Sequence, residues 1–473
     1  MPNHQSPIPN PQFQIPNPHF HVAELLLMSN RTNTIIFIPK ISKNYLTSDI
    51  IIKTIINMNI KQRLVVLSFL QFFIWGSWLI STGGYLFSLG FTGMEIGSVF
   101  STLGIASLFM PALLGIVADR WVNAEKVLGM SHLVGAACLL LAAFIKSPSM
   151  MFWVMLFNSM AYMPTIALNN SVSYRILVQS GFDVQSTFPP IRVWGTVGFI
   201  LAMWFADLTG FGHSNIQFFV AAASAIAMGI YCFSLPACEP VGSTKKESLT
   251  STLGLDAFVL LKQEKMFIFF FFSMLLGAAL QITNTFGGSF LDDFRTGYSD
   301  SFVVKHPLVM LSLSQVSETL FILTIPFFLK RFGIKMVMLF SMMAWVLRFG
   351  LFGIGNPGEG IIFLVMSMIV YGMAFDFFNI SGSLFVEKEA PSNIRASAQG
   401  LFMMVTNGIG AIIGGLGSGW VVDYFTTNTI KNWPMIWFSF AGYALVLVIF
   451  FPLIFKYRHY PEDNMDKLSS RRN

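Results

Sequence analysis

Charged residues are scarce in this chain of 473 amino acids. Asp, Glu, Lys and Arg make up only 11% of the sequence, whereas soluble globular proteins carry about 25%. Hydrophobic residues reach 54%, 50 residues are Phe, and the mean hydropathy is +0.65. This balance argues against an ordinary water-soluble domain and indicates a protein that is embedded in the lipid bilayer.

Cysteine is also rare. The three cysteines, Cys138, Cys232 and Cys238, fall in or beside apolar runs. Their number and positions predict no disulfide framework and no metal site. We expect no cofactor of any kind.

Several motifs of enzymes are missing. No G-x-x-x-x-G-K-[ST] segment indicates ATP binding. The Y-D and G-x-G-D motifs that an intramembrane aspartyl protease commonly carries do not occur either. The glycine-rich stretch 408–419 lies within an apolar run, so it favours close helix packing over nucleotide binding. We expect a protein that is not an enzyme.

Apolar runs of about 20 residues, the length that spans a bilayer, follow one another after Met58. They predict an all-α integral membrane protein with twelve spans. We place the spans at 64–90, 94–118, 127–146, 150–172, 191–209, 216–236, 267–291, 307–329, 335–354, 361–386, 396–424 and 433–455.

The longest internal polar stretch, 237–266, divides these spans six and six. It predicts a cytoplasmic linker between two six-helix bundles, at 58–236 and 267–457. A weak repeat supports the division, because "GIVADRWVNAEK" (115–126) and "PFFLKRFGIK" (326–335) join corresponding spans. Two similar halves with a site between them are typical of transporters.

The two ends of the chain are polar. We expect residues 458–473 to form a cytoplasmic tail. Residues 1–57 hold no apolar run of spanning length, so we expect a disordered extension or a true start at Met58.

The distribution of lysine and arginine predicts the orientation. About twenty of them fall in the loops and tail on one side of the predicted spans, and four fall on the other side. Because short cytoplasmic loops collect basic residues, both termini should be cytoplasmic. The basic excess is therefore a topology signal and does not indicate nucleic-acid binding.

Polar and aromatic residues within the spans form sets at helical spacing. Each set faces one way, as the lining of a cavity would. The sets are Arg192, Thr196 and Phe199; Gln281 and Asn284; Gln315 and Glu318; and Tyr371, Phe375 and Asp376, with Asn379 one turn further.

The chemistry of these sets suits a polar solute and a proton. Amide side chains offer hydrogen-bond donors and acceptors, and aromatic rings offer flat faces. Desolvation disfavours the charged form of a carboxyl group, so Asp376 or Glu318 could take up and release a proton. A solute site beside a proton carrier predicts a symporter.

Several of these residues have structural alternatives. Amide pairs can hold helices together, and Arg192 can be a topology charge near a helix start. Arg348 can pair with an acid or reach the membrane surface. We expect His132 to be a satisfied packing residue and Asp207 to be solvated at a helix end.

The segments that contain these sets resemble one family. "GIVADRW" is similar to the loop signature of the major facilitator superfamily, although Trp121 and Val122 replace the usual glycine. Further segments resemble the bacterial nucleoside permeases of the nucleoside:proton symporter family, from about Met58 to Tyr457. They are "SFLQFFIWGSW" (68–78), "FMPALLGIVAD" (109–119), "FPPIRVWGTVGFI" (188–200), "LQITNTFG" (280–287), "SQVSETLFILTIPFFL" (314–329) and "AFDFFNISGSLFVEKE" (374–389).

The resemblance implies the major facilitator fold and the roles of particular residues. A nucleoside would bind between the halves, a proton would couple at Asp376 with Glu318 beside the ligand, and Gly115, Asp119 and Arg120 would form the conformational loop motif. The implied nucleoside contacts are Arg192, Thr196, Phe199, Gln281, Asn284, Gln315, Glu318, Tyr371 and Phe375.

The sequence therefore predicts proton-coupled import of nucleosides across the bacterial cytoplasmic (inner) membrane. We expect a monomer with no obligatory protein partner. Two alternatives remain, which are an importer of another polar solute such as a sugar and a membrane sensor that does not transport.

Overall fold

The computed structural model describes residues 58–240, 255–392 and 394–457, which belong to one compact unit. The expected extension at 1–57 and the expected tail at 458–473 lie outside the described residues. Residues 241–254, in the middle of the expected linker, also lie outside the described residues.

The first half consists of seven α-helices and one short 3-10 helix at Phe211–His213. The helices are α1 (Ile60–Gly76), α2 (Thr82–Ser88), α3 (Gly93–Arg120), α4 (Ala124–Ala142), α5 (Pro148–Gln179), α6 (Val184–Leu208) and α7 (Ile216–Cys232).

The second half is also helical. It begins with a 3-10 helix at Leu255–Lys262 and contains another at Asp293–Thr296, a π-helical stretch at Met404–Gly410 and a two-residue hairpin of β1 (Thr426–Thr427) and β2 (Ile430–Lys431). The helices are α8 (Glu264–Asp292), α9 (Phe302–Lys305), α10 (Pro307–Ile322), α11 (Ile325–Ile354), α12 (Ile361–Glu389), α13 (Arg395–Met403), α14 (Ala411–Tyr424) and α15 (Trp433–Ile454).

Each of the twelve predicted spans coincides with helix. Within the described residues, nine helical spans are long and apolar enough to cross a membrane, and α7 and α10 are shorter apolar helices. The first predicted span is divided between α1 and α2, and the eighth comprises α10 and the first turns of α11. The all-α membrane architecture is confirmed.

Some helix boundaries differ from the prediction because local caps set them. Helix α6 begins at Val184 and not at 191, since Asp183 caps it by accepting a hydrogen bond from the Ser186 amide (2.9 Å). Pro189 and Pro190 therefore lie inside the helix. The eighth and ninth spans turn at Gly333, where φ is 74° and favours glycine.

Glycines bring the two halves into close contact. Helix α3 faces α14 and the π-helical stretch before it, along Gly93, Gly97 and Gly104 on one side and Gly408, Gly415 and Gly419 on the other. A side chain at Gly97 would overlap the carbonyl oxygen of Gly415. The close packing predicted for 408–419 is confirmed.

We call the membrane face at which α1 begins the N side and the opposite face the far side. Two aspartates join the halves at the far side. Asp423, at the end of α14, accepts hydrogen bonds from the Gly93 and Met94 amides in the first turn of α3 (2.6 and 2.8 Å). Asp207, near the end of α6, accepts one from the Val309 amide in the first turn of α10 (3.2 Å). We call these contacts the aspartate latches.

The expectation that Asp207 would be solvated is wrong. Its side chain is fully buried, and His306 lies 3.5 Å from the same carboxylate oxygen. The sequence placed Asp207 correctly near a helix end. The residues that cover it come from the other half, which the local sequence does not reveal.

Ion pairs at the N side join helices of the same half. Asp119 at the end of α3 pairs with Arg175 of α5. In the second half, Lys265 of α8 pairs with Glu389 of α12 (2.7 Å). Because the glycine contacts and the latches bridge the halves at the far side, the halves close against each other at that face.

Candidate functional site

The four predicted sets of residues converge between the two halves. Arg192 of α6 lies within electrostatic range of Glu318 on α10 and Asp376 on α12. The cation comes from the first half and both carboxylates come from the second. A charged cluster of this kind joins the halves where a solute could be exchanged between them.

Helix α6 presents Arg192 next to an aromatic wall on α1. The guanidinium lies over the ring of Phe72, 4.1 Å from its centroid. One and two turns further, Thr196 is half-buried and Phe199 meets Trp75 edge-on at 6.2 Å. Arg192 therefore has a fixed planar support beneath it.

Glycines allow this approach of α6 to α1. A Cβ atom at Gly198 would overlap the backbone of Phe69, and one at Gly195 would overlap the ring of Phe72. The glycines of "GTVGF" thus set the distance at which the arginine and the aromatic residues meet.

The amide residues of α8 differ in their surroundings. Gln281 is 5% exposed, and its Nε2 lies 3.4 Å from the Thr285 hydroxyl on the same helix. Asn284 is half-buried and lines a narrow cavity together with Gln315 and Tyr371. The cavity therefore brings together one residue from each of three predicted sets.

Helix α10 supplies Gln315 and Glu318 one turn apart. The Oε1 atom of Gln315 is buried and has no hydrogen-bond partner. Glu318 is half-buried and lies within electrostatic range of Arg192 and Asp376. An unpaired buried acceptor beside a cavity is available to a ligand.

Helix α12 supplies an aromatic and acidic face. Tyr371 is 5% exposed and meets Trp345 edge-on at 6.0 Å. Phe375 is half-buried. Asp376 is also 5% exposed, and its Oδ2 atom has no partner. Asn379, one turn on, is half-buried.

Three further polar residues border the same cavity, and the polar sets did not include them. They are Thr283, Ser314 and Arg348. Thr283 and Ser314 are the immediate neighbours of Asn284 and Gln315, so side-chain spacing alone placed them off the predicted face. Arg348 stood out in the sequence as a charge within a span, but no pattern indicated its partner.

His132 is a packing residue, as expected. Its Nε2 atom lies 2.9 Å from Gln71 Oε1, and its ring meets that of Tyr162 edge-on. Gln71 Nε2 in turn donates to the Thr165 hydroxyl (2.8 Å). This buried network ties α1 to α4 and α5.

The predicted loop motif lies at the N-side end of α3. Asp119 forms its ion pair with Arg175, whose guanidinium also donates to the Glu239 carbonyl oxygen (3.3 Å). Arg120 is the last residue of the helix. The space next to Gly115 is open, so no neighbouring helix requires a glycine there in this conformation.

A second polar cluster lies at the far side. His213, after α6, lies 3.7 Å from Asp292 at the end of α8, and its Nε2 accepts a hydrogen bond from Arg295 (2.5 Å). Burial, followed by the Arg295 charge, lowers the pKa of His213 to about 4. The imidazole is therefore neutral near neutral pH, and its contact with Asp292 is not an ion pair.

Comparisons with known proteins cover nearly all of the described chain. The profile of the family described as "Nucleoside H+ symporter" matches residues 58–460. That range contains every residue of the site.

Two relatives of known name come from Escherichia coli (strain K12). The chain is 56% identical to a xanthosine permease over 409 residues, which cover 86% of this chain and 98% of the relative. It is 54% identical to the nucleoside permease NupG over 406 residues, covering 85% and 97%. The crystal structure of a mutant of nucleoside transporter NupG matches with a TM-score of 0.83 at 53% identity, covering 84% of this chain and 100% of that chain.

Proposed function

Because the chain belongs to the nucleoside H+ symporter family, we propose that it binds a nucleoside between its halves and carries the coupled proton on Asp376. The chain is a multi-pass membrane transporter with the major facilitator fold, and it is not an enzyme. It imports nucleosides together with protons.

One observation carries the assignment of the site. Arg192 from the first half lies within electrostatic range of Glu318 and Asp376 from the second half, and Gln315 and Tyr371 on the same two helices line a cavity with Asn284. A site that contacts both halves changes its surroundings when the halves move, which alternating access requires.

The polar residues match the chemistry of a nucleoside. Asn284, Gln315 and Gln281 offer amide donors and acceptors for hydroxyl groups and base edges. Phe199 and Phe375 offer faces for the planar base. Arg192, Thr196, Glu318 and Tyr371 complete the proposed contacts.

Asp376 has the properties of a proton carrier. It is buried, and its Oδ2 atom is unpaired in this conformation. Protonation would remove a negative charge that lies within range of Glu318 and Arg192, and so would change the balance of charge between the halves. Glu318, which lies within electrostatic range of Arg192, would contact the ligand.

We further propose that the N side is cytoplasmic, as the basic loops predict. The far-side closure would then make this an inward-facing conformation. We assign the chain to the bacterial inner membrane, with six-helix halves at 58–236 and 267–457, a cytoplasmic linker at 237–266 and a monomeric state. Gly115, Asp119 and Arg120 would act when the N side closes.

The test is uptake of labelled uridine, adenosine and xanthosine into cells that lack their own nucleoside carriers, with and without a protonophore. We expect accumulation that collapses with the protonophore. Free ribose and free base should compete poorly if the whole nucleoside is recognised. Equal inhibition by a sugar would favour a sugar importer.

The proton assignment is tested with Asp376→Asn. This variant should bring nucleoside only to equal concentrations on both sides, while exchange of labelled for unlabelled nucleoside continues. Asp300→Asn is the control, because it makes the same chemical change at a fully exposed side chain. If Asp376→Asn still concentrates nucleoside as well as the control, Asp376 is not the coupling residue.

A further inference from the structure

Two histidine–aspartate couples cross between the halves at the closed far side. In one, Asp207 of the first half lies 3.5 Å from Nδ1 of His306 in the second half. In the other, His213 of the first half lies 3.7 Å from Asp292 of the second half. Each couple exists only while the halves are together at this face, so a proton held by either couple would be tied to closure.

The two couples differ in how their charges are compensated. Arg295 lies 3.6 Å from Asp292 and donates a hydrogen bond to His213, so a fixed cation serves that couple. Among the ion pairs within the described parts of the chain, none joins Asp207 to a lysine or an arginine. The charge of Asp207 therefore has to be compensated through His306.

Asp207 is costly to bury as a lone charge. Its side chain is 0% exposed, and its Oδ1 atom has no hydrogen-bond partner. Its Oδ2 atom accepts from the Val309 amide (3.2 Å). On the other member of the couple, the Nδ1 atom of His306 is also buried without a hydrogen-bond partner. A proton on either member leaves the couple with no net charge and so removes most of the desolvation cost.

The charged groups around this couple already have partners. They pair as Arg295 with Asp292 (3.6 Å), Lys431 with Asp293 (2.9 Å) and Lys305 with Asp300 (3.4 Å). Asp292 also lies within electrostatic range of Asp207 and has the same charge. His213 is neutral near neutral pH. The cluster therefore keeps one uncompensated negative charge, which a single proton cancels.

We propose that Asp207 and His306 form a second proton site, separate from the one assigned to Asp376, and that this site takes up a proton when the far side closes. The proton comes from the solution at the far side and returns there when the halves separate, so it is not carried across with the solute. The affinity for this proton belongs to the couple and not to either residue alone. Acid at the far side therefore favours the closed conformation.

A purely structural role for Asp207 makes a different prediction. Through the Val309 amide, Asp207 ties α6 to α10. If that were its only role, Asp207→Asn would change the ratio of closed to open conformers by the same factor at every pH. A proton site instead determines how steeply this ratio depends on pH.

The experiment measures the distance between the halves at the far side as a function of pH. Spin labels are attached to Lys146→Cys and Thr427→Cys, two exposed positions in opposite halves, in the full chain without its three native cysteines. Pulsed electron paramagnetic resonance in lipid nanodiscs gives the ratio of closed to open conformers. The background carries Asp376→Asn, which removes the coupling carboxylate, and Asp423→Asn, which weakens the other latch so that both conformers are populated.

In this background we expect the closed-to-open ratio to rise as the pH falls from about 8 to 5.5, by up to about tenfold per pH unit, the limit for uptake of one proton. Asp207→Asn should remove this dependence and hold the ratio near its low-pH value, because asparagine is neutral and still accepts from the Val309 amide. His306→Gln should move the rise to more acidic pH, since Asp207 must then take up the proton alone.

The matched control is His213→Gln. It alters the other couple at the same face, where Arg295 supplies the cation, so it should leave the pH dependence unchanged. No nucleoside is added, so the result does not depend on the proposed nucleoside site.

A ratio that does not change with pH in the background overturns the inference, as does an equally steep change in Asp207→Asn. Loss of the dependence in the control assigns the proton to the other couple and overturns it too. Should Asp207→Asn fail to fold, His306→Gln decides, and an unshifted pH curve in that variant contradicts the proposal.

Discussion

The Asp423 latch should hold the far side closed. Asp423 accepts hydrogen bonds from two first-turn amides of α3, at 2.6 and 2.8 Å, where the helix dipole also favours a negative charge. Asp423→Asn keeps one carbonyl acceptor but removes the charge and one of the two bonds.

The magnitude follows from these contacts. A hydrogen bond to a charged group contributes roughly 1.5–3 kcal/mol, and Asp423 is only half-buried, which reduces its contribution. We expect Asp423→Asn to disfavour the closed far side by about 1–2 kcal/mol, a factor of roughly 5 to 30 in the equilibrium between closed and open states.

The assay measures how fast a cysteine placed at a position covered by the closed far side reacts with a reagent added from that side. Ile80 is 6% exposed and lines the cavity on its far side. In a background without Cys138, Cys232 and Cys238, Ile80→Cys should react slowly with a membrane-impermeant maleimide added from the far side. Adding Asp423→Asn should raise the labelled fraction per unit time by roughly 5- to 30-fold.

The control is Glu95→Gln. Glu95 also lies in the first turn of α3, but its carboxylate caps that helix by accepting from the Thr92 amide (2.8 Å). Labelling that rises equally in the control would show that the end of α3 has simply loosened. An unchanged rate with Asp423→Asn would refute the latch.

Three further changes test other parts of the structure. Arg192→Lys should raise KM for nucleosides about tenfold or more, since lysine lacks the plane that lies over Phe72; an unchanged KM in uptake kinetics contradicts the site. Gly97→Val should abolish transport without loss of protein from the membrane, because its side chain would overlap the Gly415 carbonyl; uptake normalised to membrane protein decides this. His213→Gln should leave the pH profile of uptake unchanged from about pH 5 to 8, because the folded-state pKa of about 4 keeps His213 neutral there; a shifted profile would contradict that burial.

The same lowered pKa has a defined effect on stability. Below its ordinary value of 6.5, His213 takes up a proton in the unfolded chain before it does so in the folded one. Stability from this residue is therefore present above pH 6.5 and falls as the pH drops toward about 4. His213→Gln should lessen acid destabilisation in thermal unfolding measured across that range.

Helix positions and the membrane class could be predicted from the sequence because they depend on local patterns. A run of about 20 apolar residues spans the bilayer wherever it occurs. Boundaries were less predictable, because caps such as Asp183 extend a helix beyond its apolar run. The break between α1 and α2 carries no proline, and no simple sequence rule marked it.

The candidate site could be predicted in part because its residues repeat at helical spacing. Arg192, Thr196 and Phe199 fall on one face of α6, and the structure brings Arg192 near Glu318 and Asp376. Spacing within one helix cannot reveal neighbours from another helix. For that reason Phe72, which supports Arg192, and Thr283 were found only in the structure.

The far-side contacts also show why closure could not be predicted from the sequence. Asp207 and Asp423 each lie near the end of a helix, where a single chain segment leaves them exposed. Each is covered by the first turn of a helix from the opposite half, α10 for Asp207 and α3 for Asp423. These bonds cost little to break, since water can replace them once the halves separate. A few such contacts per face give an energy difference that a proton and a bound nucleoside can reverse, as a two-state carrier requires.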